Sequence, residues 1–324
     1  MTSLLSVYDL RLTFPGADGP IHPVDGVSFS VGKGETLALV GESGCGKSLT
    51  ALSLLRLVPA PGFIADGSSI VFDGAEMLTL SPAALRAVRG RRIGMVFQDP
   101  LTSLNPVMRV GDQIAEGIVA HGLASAAQAR KRALALLREV GIADAEQRLD
   151  AYPHQLSGGM RQRVVLAIAL ACEPELIIAD EPTTALDVTV QAQILETLDR
   201  LRRDRGMALL LITHDFGIVA GRADRVAVMY AGQIIEEAAT AELFAHPSHP
   251  YTQGLLASVP TMDGPVRRIE PIPGTVPLPG AWPTGCRFAP RCARVFEPCR
   301  DPAPVHEVGA GHTMRCWLGA ERGR

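Results

Sequence analysis

The eight residues Gly41-Glu42-Ser43-Gly44-Cys45-Gly46-Lys47-Ser48 constrain this chain more than any other stretch. They follow an apolar run, "TLALV", and precede a helical pattern. A glycine-rich turn between a buried strand and a helix, closed by Lys-Ser, matches the G-x-x-x-x-G-K-[ST] phosphate loop. Backbone N–H groups of the loop and of the helix start, through Leu49, can hold phosphate oxygens. Lys47 would reach the β- and γ-phosphates and Ser48 would ligate Mg²⁺. Glu42 and Cys45 would contribute backbone only. The stretch predicts a site for Mg²⁺ and a nucleoside triphosphate.

The remaining pattern says what carries this loop. Three further apolar runs end in a polar residue: "IGMVF" at Gln98, "LIIA" at Asp180 and Glu181, and "ALLLIT" at His214. Buried runs separated by helical segments indicate a mostly parallel α/β sheet, in which ligands bind beyond the carboxyl ends of the strands. The four ends are therefore expected to converge on one site. Asp180 suits a water-mediated Mg²⁺ contact and Glu181 can polarise the attacking water. Gln98 can touch the metal or the water, and His214 can sense the γ-phosphate. Residues before the loop read as short antiparallel strands. Residues from about 98 to 172 read as a helical insertion, and "DRVAVMYAGQIIEEA" as a hairpin turning at Ala231-Gly232. The fold class is thus α/β, a P-loop domain with an antiparallel β subdomain.

A second stretch, "HQLSGGMRQR" (154–163), also looks built to hold an anion. Ser157 can cap a helix there, and Gly158 and Gly159 let a ligand approach the backbone. Yet it brings no P-loop lysine of its own.

At 324 residues more than one domain is expected. The net charge of -3 argues against a nucleic-acid protein, since those show a basic excess. The arginines of "RAVRGRR" (86–92) read as a solvated surface. No secretory signal pattern is visible, and the longest apolar run, Val164 to Cys172, is too short for a membrane span. A soluble, cytoplasmic chain is expected.

In order along residues 4 to 245, these motifs resemble the ATP-binding subunits of ABC transporters. "GESGCGKS" looks like Walker A, "LIIADE" like Walker B with its catalytic glutamate, and Gln98 like the Q-loop. "LSGGM" looks like the signature, "TALD" (184–187, ending in Asp187) like the D-loop, and His214 like the switch histidine. Phe14 lies where the family stacks an aromatic on adenine, although Tyr8 is nearby. The resemblance implies two such domains facing head to tail, each signature helix closing over ATP held by the other P-loop. That accounts for the second anion-holding helix start. Met160 departs from the glutamine more common in the family.

"FQDPLTSLNP" (97–106) and "HPSHPYTQGLL" (246–256) resemble the oligopeptide/dipeptide/nickel importer branch. Beyond His246 proline and glycine become dense and periodicity is lost, so a nucleotide-binding domain at 1–245 and a loop-rich tail at 246–324 are expected. The resemblance implies two membrane permease subunits, a second ABC ATPase (a different chain or a copy) and an extracytoplasmic substrate-binding protein. The chain would sit on the cytoplasmic face of the plasma membrane. His246 and His249 read as part of a turn packed on the core. Cys286, Cys292, Cys299 and Cys316 cluster in the tail with spacing C-x5-C-x6-C-x16-C. That spacing lacks the short knuckles of common zinc sites and the usual ferredoxin runs. It resembles the cysteine tail of peptide-importer ATPases, some of which hold a [4Fe-4S] cluster; zinc and unligated thiols remain alternatives. Nickel, glutathione or opine import, or a non-transport ABC ATPase, are the other functions considered.

Overall fold

Strand Leu176–Asp180 is buried along its whole length, as a central strand of leucine, isoleucine and alanine should be. The structure is a computed structural model and describes residues 3–183, 186–258 and 272–322. It divides into two compact units.

One unit comprises Gly32–Glu35 and Thr79–Ile212. Strand Leu176–Asp180 pairs in parallel with Ile93–Val96 on one side and with Ala208–Thr213 on the other. Helices Val110–Ala120, Ala126–Glu139, Gly158–Leu170 and Val188–Arg205 are its longest. Ser125 and Gln128 start the second of these with a reciprocal capping box. Gly94 explains how helix Gly158–Leu170 lies so near the sheet, because a Cβ there would stand 2.4 Å from the Ala169 carbonyl oxygen. The side chain of Gln113, buried, bonds Asn105 N at 2.9 Å and the carbonyls of Asn105 and Met108 at 3.0 Å. It thereby fixes the "TSLNP" loop against the helical segment.

The other unit comprises Ser3–Val31, Thr36–Leu78 and the chain from Thr213 onward. Its first sheet orders the strands Gly19–Gly32, Ser3–Gly16, Ser69–Phe72 and Ala75–Glu76. The expected short strands are here two of 14 residues each. In Ser3–Gly16 buried positions recur from Leu4 through Leu12, so one apolar face runs along most of the strand. In its second sheet, Thr36–Val40 runs parallel to Arg225–Tyr230, which forms a hairpin with Gln233–Ala239. Ala231 and Gly232 both have positive φ, as a two-residue hairpin turn requires.

The tail extends this second sheet. His312–Arg315 pairs antiparallel with Gln233–Ala239, and Val305–Gly309 pairs with His312–Arg315. Tyr230, Tyr251 and Phe288 meet edge to face, with ring centroids 4.7 to 5.4 Å apart. The described residues after His246 pack into this same unit. Their apolar side chains complete a core begun by earlier strands, which a proline- and glycine-rich segment could not build by itself.

Candidate active site

The phosphate loop belongs to the second unit, and its glycines are required by close approach. Gly41 has φ +156, and a Cβ on it would stand 2.2 Å from the Met229 carbonyl oxygen. Gly46, at φ +106, caps helix Lys47–Leu54 from the left-handed region, with the Pro23 carbonyl oxygen 2.6 Å from any added Cβ. Ser43 and Gly44 are exposed at the loop's crest, while Ser48 and Leu49 are half-buried on the first helical turn. Lys47 is buried, and its ammonium donates to the carbonyl oxygens of Gly41 at 2.7 Å and Glu42 at 3.1 Å. The lysine is thus held by its own loop, with its charge at the loop's centre. Cys45 is fully buried, and burial pushes its thiol above the usual range although Lys47 lies beside it. Its side chain packs out of solvent. Glu42 does more than lend backbone: its N–H donates to the Tyr251 hydroxyl at 3.0 Å and its carboxylate pairs with Arg291 at 3.1 Å.

In the same unit, Phe14 near the end of strand Ser3–Gly16 is half-buried. A Cβ at Gly62 would stand 2.3 Å from its ring, so that glycine leaves room for it. Tyr8 is 69% exposed on the same strand. His214 is exposed directly after strand Ala208–Thr213, where Asp215 caps the following helical turn through Gly217 N.

The first unit holds the other residues. Gln98 and Glu181 meet: the Gln98 amide donates to the Glu181 carboxylate at 3.1 Å. They lie just past the ends of paired strands Ile93–Val96 and Leu176–Asp180. Asp180 is buried at the end of its strand. Glu181 adopts φ +44, a conformation rarely used by a side-chain-bearing residue and typical of functional turns. Its N–H is anchored to the Ile212 carbonyl at 2.9 Å.

Ser157 caps helix Gly158–Leu170 by accepting from Met160 N at 3.4 Å. The substituted methionine thus supplies its backbone to the cap. Gly159 leaves room for Val190, whose Cγ1 would stand 2.7 Å from a Cβ. Asp187 caps helix Val188–Arg205 through Val190 N at 2.9 Å. Thr184 and Ala185 of the "TALD" stretch lie outside the described residues.

In the tail, Cys286, Cys292, Cys299 and Cys316 are free thiols that all line one small cavity of about 10 Å³, with Phe288, Phe296 and Leu318 among its walls. Burial, then the neighbouring thiols, push Cys316 up to about 11. Among the described residues no group of three or more His, Cys, Asp or Glu side chains stands in metal-holding geometry. Thiols are the donor type of a thiophilic centre, but here they do not stand in ligating geometry. His249 is spent on structure, its ring accepting from Tyr251 N at 3.0 Å to start helix Pro250–Ala257. Buried Glu236 accepts from Ser248 N and His249 N and meets His312 at 2.8 Å, tying this segment to the tail strand.

A phosphate loop, an Asp-Glu strand end, a paired glutamine and a serine-capped Gly-Gly helix define an ATP-hydrolysing subunit of the ABC type. Comparison agrees: residues 24–184 match the family "ABC transporter", and residues 235–299 match "Oligopeptide/dipeptide transporter, C-terminal region". The chain is 48% identical over 326 residues to the oligopeptide transport ATP-binding protein AppD of Bacillus subtilis (strain 168), covering 100% of this chain and 99% of that one. It is also 48% identical over 323 residues to the dipeptide transport ATP-binding protein DppD of the same organism, covering 99% and 96%. A dimeric ATP-binding cassette solved in a post-hydrolysis state with ADP and Pi aligns at TM-score 0.64 and 27% identity, over 73% of this chain and 98% of that one. The chain belongs to the ABC transporter ATP-binding family, and its tail matches the oligopeptide/dipeptide branch. Among the described residues no helix is long and apolar enough to cross a membrane.

Sequence reasoning missed Arg291 and Tyr251. "HPSHPY" drew attention to its segment, but nothing in the local pattern pointed the tyrosine hydroxyl at the phosphate loop.

Proposed function

We propose that this chain hydrolyses Mg·ATP to drive import of di- and oligopeptides through a membrane transporter. The observation that carries the reading is the joint presence of a complete ABC motif set and the oligopeptide-type C-terminal region. Lys47 and the loop amides bind the β- and γ-phosphates, Phe14 stacks on adenine, and Asp187 contacts the dimer-held nucleotide. Ser48, Gln98 and Asp180 would hold Mg²⁺, which would supply positive charge beside the phosphates. Glu181 accepts a proton from water as its oxygen bonds to the γ-phosphorus. The bond to the bridging oxygen breaks, releasing ADP and phosphate. Gln98 and His214 report the γ-phosphate. Ser157, Gly158 and Gly159 close over the nucleotide of a second ABC ATPase subunit, the same chain or a different one.

Two permease subunits dock beside Gln98, where Phe97, Leu101 and Val107 leave apolar surface exposed. An extracytoplasmic binding protein delivers the peptide, and the chain works peripherally at the cytoplasmic face. Co-purification with two permeases and ATP turnover raised by peptide-loaded binding protein would support this reading. Turnover raised instead by nickel, glutathione or an opine would reassign the substrate. Undiminished turnover by a chain that binds no permease would favour a non-transport ATPase.

The four tail thiolates would hold a [4Fe-4S] cluster, which would staple the loop-rich tail; zinc is the alternative. Anaerobically purified protein should be brown with about four irons per chain. Colourless protein with stoichiometric zinc, or with neither metal, would contradict the cluster.

A further inference from the structure

Glu42 introduces an electrostatic problem into the loop. It places a carboxylate in a cradle that must accept a polyanion, and like charges at such range oppose binding. Arg291 answers it at 3.1 Å, with its side chain only 6% exposed and that of Glu42 29% exposed. The arginine is itself held in place, since its Nε donates to the Pro273 carbonyl at 2.8 Å and its guanidinium lies 5.7 Å from the Tyr230 ring centroid.

The backbone of the same residue is held independently. Its N–H donates to the hydroxyl of Tyr251, a fully buried side chain wedged against Tyr230 and Phe288. Its carbonyl faces the other way and accepts from Lys47 and from Cys45 N. One residue of the loop is therefore gripped on one side by the C-terminal region, and on the other touches the lysine that binds phosphate.

We propose that Arg291 and Tyr251 are positioning residues for the phosphate loop: Arg291 cancels the charge of Glu42, and Tyr251 fixes the Glu42 peptide. Both act before nucleotide arrives, because a loop already ordered loses less freedom on binding. The C-terminal region thus takes part in ATP affinity. By thermodynamic reciprocity, nucleotide then stabilises this packing of the tail. The inference rests on the nucleotide reading of the loop.

The test is equilibrium binding of Mg·ATP to the full-length chain carrying Glu181→Gln, so that turnover does not intervene. Arg291→Ala should weaken binding at least about tenfold, and Tyr251→Phe about three- to tenfold, the usual range for charged and neutral hydrogen bonds. Adding Glu42→Gln to Arg291→Ala should restore most of the affinity, because the charge needing compensation is gone. Loss of packing alone would not be repaired that way. If Arg291→Ala does not fold, Arg291→Lys and Tyr251→Phe carry the test, with Arg291→Lys retaining most of the affinity. Wild-type affinity in folded Tyr251→Phe and Arg291→Ala, or no restoration by Glu42→Gln, would overturn the proposal. A parent protein that binds no Mg·ATP would overturn the nucleotide reading itself.

Discussion

Glu181 sits where chemistry and backbone strain coincide. Its φ of +44 costs free energy that a glycine would not, and its carboxylate is already engaged by the Gln98 amide. If it polarises water, Glu181→Gln keeps the shape and removes the base. Hydrolysis should fall about 10²- to 10⁴-fold while Mg·ATP affinity stays within about a factor of three, since general-base loss affects the transition state and not ground-state binding. Stopped hydrolysis with intact binding, followed by phosphate release and nucleotide titration, checks this. An equal loss of both would reassign Glu181 to nucleotide binding. This residue was legible because its chemistry is compressed into "LIIADE", where four apolar residues set the strand and the next two end it. The partner of Glu42 was not legible, because Arg291 is 249 positions away and ordinary by type.

Among the elements, the ion cluster of Asp25, Arg11 and Arg287 ties strands of the first β-sheet to the tail. Asp25 Oδ1 accepts from Arg11 at 2.7 Å, and its carboxylate also pairs with Arg287, which stacks on Trp282. Burial pushes the Asp25 carboxyl up, but Arg287 and Arg11 reverse this and hold it below its usual range. A folded-state pKa below the unfolded value makes the pair stabilising above about pH 4, and that contribution is lost as pH falls further. Asp25→Asn should therefore destabilise the protein by about 1–3 kcal/mol at pH 7, less than for a fully buried pair because Arg11 is half-exposed. The variant's melting temperature should also decline less steeply than wild type below about pH 4. Parallel melting curves across that range would rule out the pair as an acid-sensitive tie. The tail strand His312–Arg315 was hidden from sequence reading for a related reason. Four residues give almost no alternation to detect, and their pairing partner lies nearly eighty positions earlier. The long hairpin at Ala231-Gly232 was visible because turn and strands are contiguous.

On the scale of the molecule, each of the two compact units holds part of the motif set. The phosphate loop, Phe14, His214 and the tail belong to one, and Gln98, Asp180, Glu181 and the Ser157 helix belong to the other. Sequence order recovered the motifs but not this partition, because the units interleave along the chain and the boundary drawn at 245 followed composition. The tail's glycines and prolines look like a linker until Tyr251 and Phe288 are seen in the core. The central claim is that ATP hydrolysis by this chain powers peptide import. It is tested most directly by uptake of labelled oligopeptide into vesicles containing the two permeases, the partner ATPase and this chain, with binding protein outside and Mg·ATP inside. Uptake should require ATP and this chain, and should stop when Glu181→Gln replaces the wild type. Peptide uptake that proceeds unchanged without this chain, or without ATP, would contradict the account.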